Sequence, residues 1–202
     1  MIEIRHVVFD IGKVLIHYDP DLAFRPLIPD ADERAWFLGN VCTNAWNLEQ
    51  DRGRSWADAE AELIALHPGR EAHIRAFRRG WAEMVPHALD DTVALMERLI
   101  DEGTDVTMLT NFAADTFEEA LVLFPFLRRP RGVTVSGRIG VIKPDVAIYE
   151  RHAATFGLEP SATLFVDDSA ANIDGARAAG WHALHYTGHD RLLADLRGYR
   201  IA

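Results

Sequence analysis

The sequence predicts a doubly wound α/β sheet with parallel strands and a small α-helical cap inserted after the first strand. Three observations predict it. Short apolar runs recur along the chain and end in polar residues, as strands buried on both faces of a parallel sheet do. Helical apolar stripes lie between these runs, so strand and helix alternate. One long segment near the N-terminus breaks the alternation and carries helical patterns without a convincing strand.

The first run, Val7-Val8-Phe9, stops at Asp10. The irregular segment follows, with hinges expected at Asp19-Pro20 and Pro86. The expected division is therefore 1–16 with 88–202 as the α/β core, and 17–87 as the cap. Four of the five tryptophans (Trp36, Trp46, Trp56, Trp81) fall in the cap and are expected to form the core of a small bundle. Val93, Met96, Leu99 and Ile100 then make a helical stripe, opened by Asp90-Asp91 and closed by Gly103. A second strand, Val106 to Leu109, ends at Thr110-Asn111. A helix from about Pro144-Asp145 should bury Ile148, Tyr149 and Phe156. Leu164-Phe165-Val166 is a further strand, ending at Asp167-Asp168. A helix follows from about Asn172 to Ala179, stopped by Gly180, and Trp181 to His185 reads as the last strand.

Composition bounds the function. The 202 residues fit one domain with an insertion, at roughly 150 residues per domain. A net charge of −10 makes the chain a poor electrostatic partner for nucleic acid or an anionic membrane. Cys42, the single cysteine, cannot make an intrachain disulfide, which fits a reducing cytoplasm; it reads as a buried apolar residue. Met1 to Asp10 carries Glu3 and Arg5 and no long apolar core, so no signal peptide is expected. Ala120 to Leu127 is too short to span a bilayer and contains Pro125. The expectation is a cytoplasmic monomer or homodimer.

In open α/β sheets, ligands bind outside the carboxyl ends of the strands. Those ends should collect Asp10, Thr110, Asn111, Asp167 and Asp168, with Lys143 from a neighbouring loop. Carboxylates so close repel one another unless a cation sits among them, and a hard divalent ion such as Mg²⁺ suits oxygen ligands. Of 21 basic residues only Lys13 and Lys143 are lysines, and both fall beside this edge. A compact ammonium suits a single phosphoryl or carboxylate oxygen where a planar guanidinium does not fit.

Other patterns carry simpler readings. Gly137-x-x-Gly140-x-x-Lys143 has the wrong spacing for a P-loop. His182, His185 and His189 resemble a zinc set, but residues three apart on a strand point to opposite faces. Arg128, Arg129 and Arg131 read as a solvated basic loop, and Asn172 as a helix cap.

Four ordered pieces carry a family resemblance: Val8-Phe9-Asp10-Ile11-Gly12-Lys13-Val14-Leu15, Leu109-Thr110-Asn111, Lys143-Pro144-Asp145, and Phe165 through Ile173. Together with an insertion after the first piece, they resemble the haloacid dehalogenase superfamily and its helical cap. The resemblance implies that Asp10 is a nucleophile forming an aspartyl phosphate. Thr110 and Asn111 would bind phosphoryl oxygens, with Lys13 and Asn172 nearby. Lys143 would neutralise Asp10 and the phosphoryl group. Mg²⁺ would be held by Asp10, the Gly12 carbonyl and Asp168, supported by Asp167. The implied substrate is a small phosphorylated metabolite.

The first piece departs from many phosphatases of the superfamily. They carry a second Asp two residues after the nucleophile as general acid and base, and Gly12 stands there in this chain. His17, Asp19 or Lys13 is the expected substitute by proximity, or else the leaving group needs little help, as in a sugar 1-phosphate. Asp-x-Gly-x-Val resembles the first motif of α-D-glucose-1-phosphatase-like members, and Asp51-Arg52-Gly53 a turn in their caps. Specificity is expected near Tyr18, Trp46, Asn47 and Arg52 of a cap that closes over the edge. The competing readings are a 2-haloacid dehalogenase attacking carbon through Asp10, and a non-catalytic phosphometabolite-binding protein. The intact Asp167-Asp168 pair argues against the dehalogenase.

Overall fold

The computed structural model describes residues 3–201; Met1, Ile2 and Ala202, at the outer ends of the expected core segments, lie outside them. Strands β1 (His6–Phe9), β2 (Asp105–Thr110), β3 (Val133–Val135), β4 (Thr163–Asp167) and β5 (His182–His185) form one parallel sheet in the order β3-β2-β1-β4-β5. The first strand is therefore central, and the connection to β4 crosses to its other side. That reversal opens a crevice at the carboxyl ends of β1 and β4.

Alternation along β1 separates the two apolar layers. Val7 and Phe9 pack on one face with Leu95, Met96, Phe117 and Leu192; Val8 packs on the other with Ile148, Tyr149, Phe165 and Ile173. The first layer is covered by α7 (Asp90–Asp101), α8 (Ala114–Leu123) and α12 (His189–Tyr199); the second by α10 (Val146–Phe156) and α11 (Ala170–Ala178). A four-residue helix, α9 (Ser136–Ile139), follows β3.

Between β1 and α7 lie α1 (Pro20–Phe24), α2 (Ala31–Asn40), α3 (Asn44–Asp51), α4 (Trp56–Leu66), α5 (Glu71–Arg79) and α6 (Trp81–Met84). Asp19, Asp30, Thr43 and Ser55 cap the first four of them with side-chain oxygens. These helices bury their own cluster, including Phe24, Phe37, Cys42, Ile74 and Phe77. Two chain crossings tie the segment to the core side by side. The His17 N–H donates to the His87 carbonyl at 3.0 Å, and their rings stack at 5.0 Å.

Several local expectations needed correction. β3 was not foreseen, being three residues of edge strand between Gly132 and Ser136. Phe156 is only partly buried; His152 takes the buried place on that helix face. Among the cap tryptophans, Trp36 is 48% exposed, with Arg70 over its ring, and Trp81 packs with the sheet-face cluster against Phe112. The basic run is not merely solvated: Arg129 pairs with Asp101 at 2.6 Å, and Arg131 holds Asp105 with two hydrogen bonds of 2.6 and 2.7 Å.

Candidate active site

Register alone assembles the site. Phe9 lies level with Met108 of β2 and Val166 of β4, so the next step along each strand brings Asp10 beside Leu109 and Asp167. One step further lie Thr110 and Asp168. The Asp10 N–H donates to the Val166 carbonyl at 2.9 Å, which carries the pairing to the strand end. Asp10, Thr110, Lys143 and Asp167 are all buried, and Asp168 is partly exposed.

The Lys143 ammonium is the electrostatic centre. It donates to Asp10 Oδ1 at 2.7 Å, to Asp167 Oδ2 at 2.6 Å and to the Leu109 carbonyl at 3.2 Å, which uses its three protons. Burial opposes its charge, but Asp10 and Asp167 outweigh burial and hold its pKa above the ordinary value. Its backbone is clamped by Asn111, whose Oδ1 accepts from the Lys143 N–H at 2.8 Å and whose Nδ2 donates to the Lys143 carbonyl at 3.0 Å. Asn111 thus spends its amide on the lysine loop. A Cβ on Gly175 of α11 would come within 2.4 Å of the Pro144 carbonyl, so only glycine lets that helix approach the same loop.

Asp167 is saturated. Besides Lys143, it accepts from the Ser169 N–H at 2.8 Å and from Asn172 Nδ2 at 2.9 and 3.1 Å. Ser169 occupies the N-cap position of α11, so Asn172 is not the cap the sequence suggested; it steadies Asp167 from inside the first turn. Asp168 is the freer carboxylate. His185 Nε2 lies 2.8 Å from the Asp168 carbonyl, a positioning contact that no spacing in the sequence signalled. It also takes His185 away from any zinc set, and the metal-competent cluster among the described residues is Asp10, Asp167 and Asp168.

Those three carboxylates offer oxygens within 4.8 Å of one another, against one ammonium. Their burial shows in their protonation. Burial pushes Asp10 up to about 7 despite Lys143, and burial followed by the charge of Asp167 raises Asp168. Two acids resisting ionisation beside an open edge fit a divalent cation, which would supply the missing positive charge. Asp10, Asp168 and the backbone carbonyl of Gly12 are the ligands available, with Asp167 already committed to its donors.

A cavity of about 430 Å³ opens above this edge. Core residues Gly12, Lys13, Asn111, Phe112, Lys143, Asp168 and Asn172 line one side, and cap residues Tyr18, Asn44, Asn47, Asp51 and Trp56 the other. Lys13 reaches it from a loop whose backbone turns through the left-handed region there (φ 58°). Neither His17 nor Asp19 lines it: His17 is stacked at the hinge, and Asp19 caps α1. Trp46 and Arg52 are likewise outside its walls, Trp46 packing edge-on against Trp56 and Phe77.

Asp51 enters from the last residue of α3. Its carboxylate faces the Ala113 backbone, with Asn47 Nδ2 at 3.5 Å, and burial, then the charge of Asp10, pushes it up to about 7. Its carbonyl accepts from the buried Ser136 hydroxyl at 2.6 Å, and the same oxygen of Ser136 accepts from the Phe112 N–H at 2.9 Å. Ser136 thus joins cap to core, a role its place after an unforeseen strand kept hidden.

A family model described as haloacid dehalogenase-like hydrolase matches residues 4–180. The chain is similar to the sesquiterpene phosphatase astK of Aspergillus oryzae, at 26% identity over 196 residues, covering 96% of this chain and 95% of that one. In structure it is similar to a HAD-like family hydrolase from Porphyromonas gingivalis, with a TM-score of 0.77, 22% identity and 98% of both chains covered. It is also similar to a HAD family enzyme from Bacteroides thetaiotaomicron in complex with magnesium and inorganic phosphate, with a TM-score of 0.71, 19% identity, and 90% of this chain and 93% of that one covered.

Proposed function

The chain belongs to the haloacid dehalogenase-like hydrolases, and from that premise we propose that it is a Mg²⁺-dependent phosphatase acting on a small phosphate monoester through an aspartyl phosphate on Asp10. The observation that carries this is three clustered carboxylates against one fully committed lysine, which leaves a deficit of positive charge where a dianionic group must arrive. The phosphatase name of the astK relative and the magnesium and phosphate of the Bacteroides enzyme support the same reading.

Asp10, Asp168 and the Gly12 carbonyl would hold Mg²⁺, which when bound would supply Lewis-acid charge that offsets repulsion between two anions. The chain's own groups do the rest. Lys143 holds one oxygen of Asp10, which orients the carboxylate and lowers the repulsion met by an incoming phosphoryl group. The buried hydroxyl of Thr110, at the end of β2 next to Asp10, hydrogen-bonds a phosphoryl oxygen. Lys13 brings a second cation from the rim. Asn111 and Asn172 act as positioning residues, on Lys143 and Asp167 respectively, rather than as direct phosphate ligands. Asp10 displaces the alcohol at phosphorus, and water then hydrolyses the acyl phosphate. The organic part of the substrate rests against Tyr18, Trp56, Trp81 and Phe112, with the amides of Asn44 and Asn47 suited to the hydroxyls of a sugar phosphate. The segment 17–87 acts as the cap that shields this cavity.

The test is phosphate release from an aryl phosphate. It should require Mg²⁺ and fall by about 10⁴-fold or more in Asp10→Asn, the scale for loss of a covalent nucleophile. Metal-independent halide release from a 2-haloacid, with no phosphate release, would replace this reading by the dehalogenase one.

A further inference from the structure

Gly12 leaves the reaction without the acid that the leaving group needs, and a Cβ built there meets nothing within 4 Å. The space is open, and besides Asp168, which is placed to hold the metal, a carboxyl from the cap shares the cavity with it. Resting on the phosphatase reading, we infer that Asp51 is the general acid and base of this enzyme, carried into the site on the end of α3.

Three observations carry this. Asp51 lines the same cavity as Gly12, Lys13 and Asp168, across from the strand ends. It is fixed in place from the core by the Ser136 hydroxyl, which donates to its carbonyl at 2.6 Å. Among the described residues, Asn47 is the side-chain donor to that carboxylate, and at 3.5 Å on Oδ2 it leaves an oxygen to carry a proton. Its raised pKa agrees, since an acid–base group near neutrality both gives and takes protons efficiently. His17 and Asp19 are turned to other tasks, and Lys13 carries no carboxyl.

The steps balance as follows. Asp10 forms a bond to phosphorus while the bond from phosphorus to the leaving oxygen breaks. That oxygen keeps the electron pair, takes the Asp51 proton and departs as an alcohol. The Asp51 carboxylate then removes a proton from water, whose oxygen bonds to phosphorus as the Asp10–phosphorus bond breaks. Inorganic phosphate leaves, and Asp51 is protonated again.

The experiment compares wild type, Asp51→Asn and Ser136→Ala on p-nitrophenyl phosphate and glycerol phosphate, with melting curves to establish that each variant is folded. Asparagine keeps the shape of the side chain but cannot carry the proton. Nitrophenolate needs no proton to leave, so Asp51→Asn should still give a rapid burst of about one nitrophenolate per active site. Slow turnover should follow as the acyl phosphate accumulates. On glycerol phosphate the same variant should lose about 10²-fold or more, with no burst. Ser136→Ala loosens the docking without touching the carboxyl and should slow both esters alike. Adding Gly12→Asp to Asp51→Asn should restore glycerol phosphate turnover at least tenfold, because the new carboxyl fills the open space beside Asp10. A lost burst in Asp51→Asn, an equally rapid burst of glycerol release, or unchanged turnover of glycerol phosphate would overturn the inference while the phosphatase reading stands. If wild type hydrolyses neither ester, the phosphatase reading falls and takes the inference with it.

Discussion

The two ends of this sheet treat carboxylates in opposite ways. At the amino end of β2, Asp105 sits between His6 at 2.6 Å and the two-pronged guanidinium of Arg131. Burial alone would raise it, but these hydrogen bonds outweigh burial and hold it below its usual value. At the carboxyl ends, Asp10 and Asp168 are raised, first by burial and then by the charge of Asp167, and the nearby lysines do not offset this. The same residue type is satisfied where the protein only needs to fold and left short of charge where it must bind something. The contrast favours the carboxyl ends as the working end of the sheet, the reading proposed above, without reference to any relative.

Breaking the contrast at its centre has the largest effect on stability. Lys143→Met leaves Asp10 and Asp167 buried together with no cation, a loss of about 3–5 kcal/mol by the usual cost of stripping a buried pair. A urea or thermal melt in the absence of metal checks this, and Mg²⁺ should recover part of the loss.

The middle of the sheet tolerates no charge on its histidine. His152 bridges Thr107 at 2.9 Å and Thr134 at 2.8 Å, and burial, with Arg131 adding to it, lowers its pKa from 6.5 to about 3. The unfolded chain therefore binds a proton below about pH 6.5 that the folded chain refuses. The stability this contact supplies is full above that pH and is lost as pH falls towards 3, with a loss of about 2 kcal/mol by pH 5. Stability against pH for wild type and His152→Gln should converge in the acid range and separate above it. Parallel curves would contradict the neutral histidine.

The smallest effects are the sharpest test, because they differ in sign. Asp105→Asn should destabilise by about 1 kcal/mol or less, as for a partly exposed ion pair. Asp168→Asn should raise the melting temperature of the metal-free protein by removing a repelled charge, and should abolish the rise that Mg²⁺ gives wild type. If both substitutions destabilise in the absence of metal, the two ends do not differ as described.

Legibility from sequence followed the same divide. Asp10, Thr110 and the pair Asp167-Asp168 were readable because each closes an apolar run, and parallel register carries the three strand ends to one edge. The Lys143 loop was readable through the scarcity of lysine. β3 was not, since three residues at an edge give no periodicity. Asn111 and Asn172 were seen as site residues, but spacing does not reveal that their amides also hold the Lys143 backbone and the Asp167 carboxylate. The cap was legible as an insertion and not as an orientation. Which of its side chains meets the cavity depends on how six short helices pack, so Asp51 was visible only as part of a turn, while His17 and Asp19, nearer in sequence, were turned elsewhere.

The central claim is that the charge-deficient edge serves to put a phosphoryl group on Asp10. Wild type mixed with an aryl phosphate and Mg²⁺, quenched in acid within the first turnover and digested, should yield one peptide heavier by a phosphoryl group, and fragmentation should map that group to Asp10. Phosphoryl found on any other residue, or phosphate released at full rate from a protein that never carries it, would contradict the account.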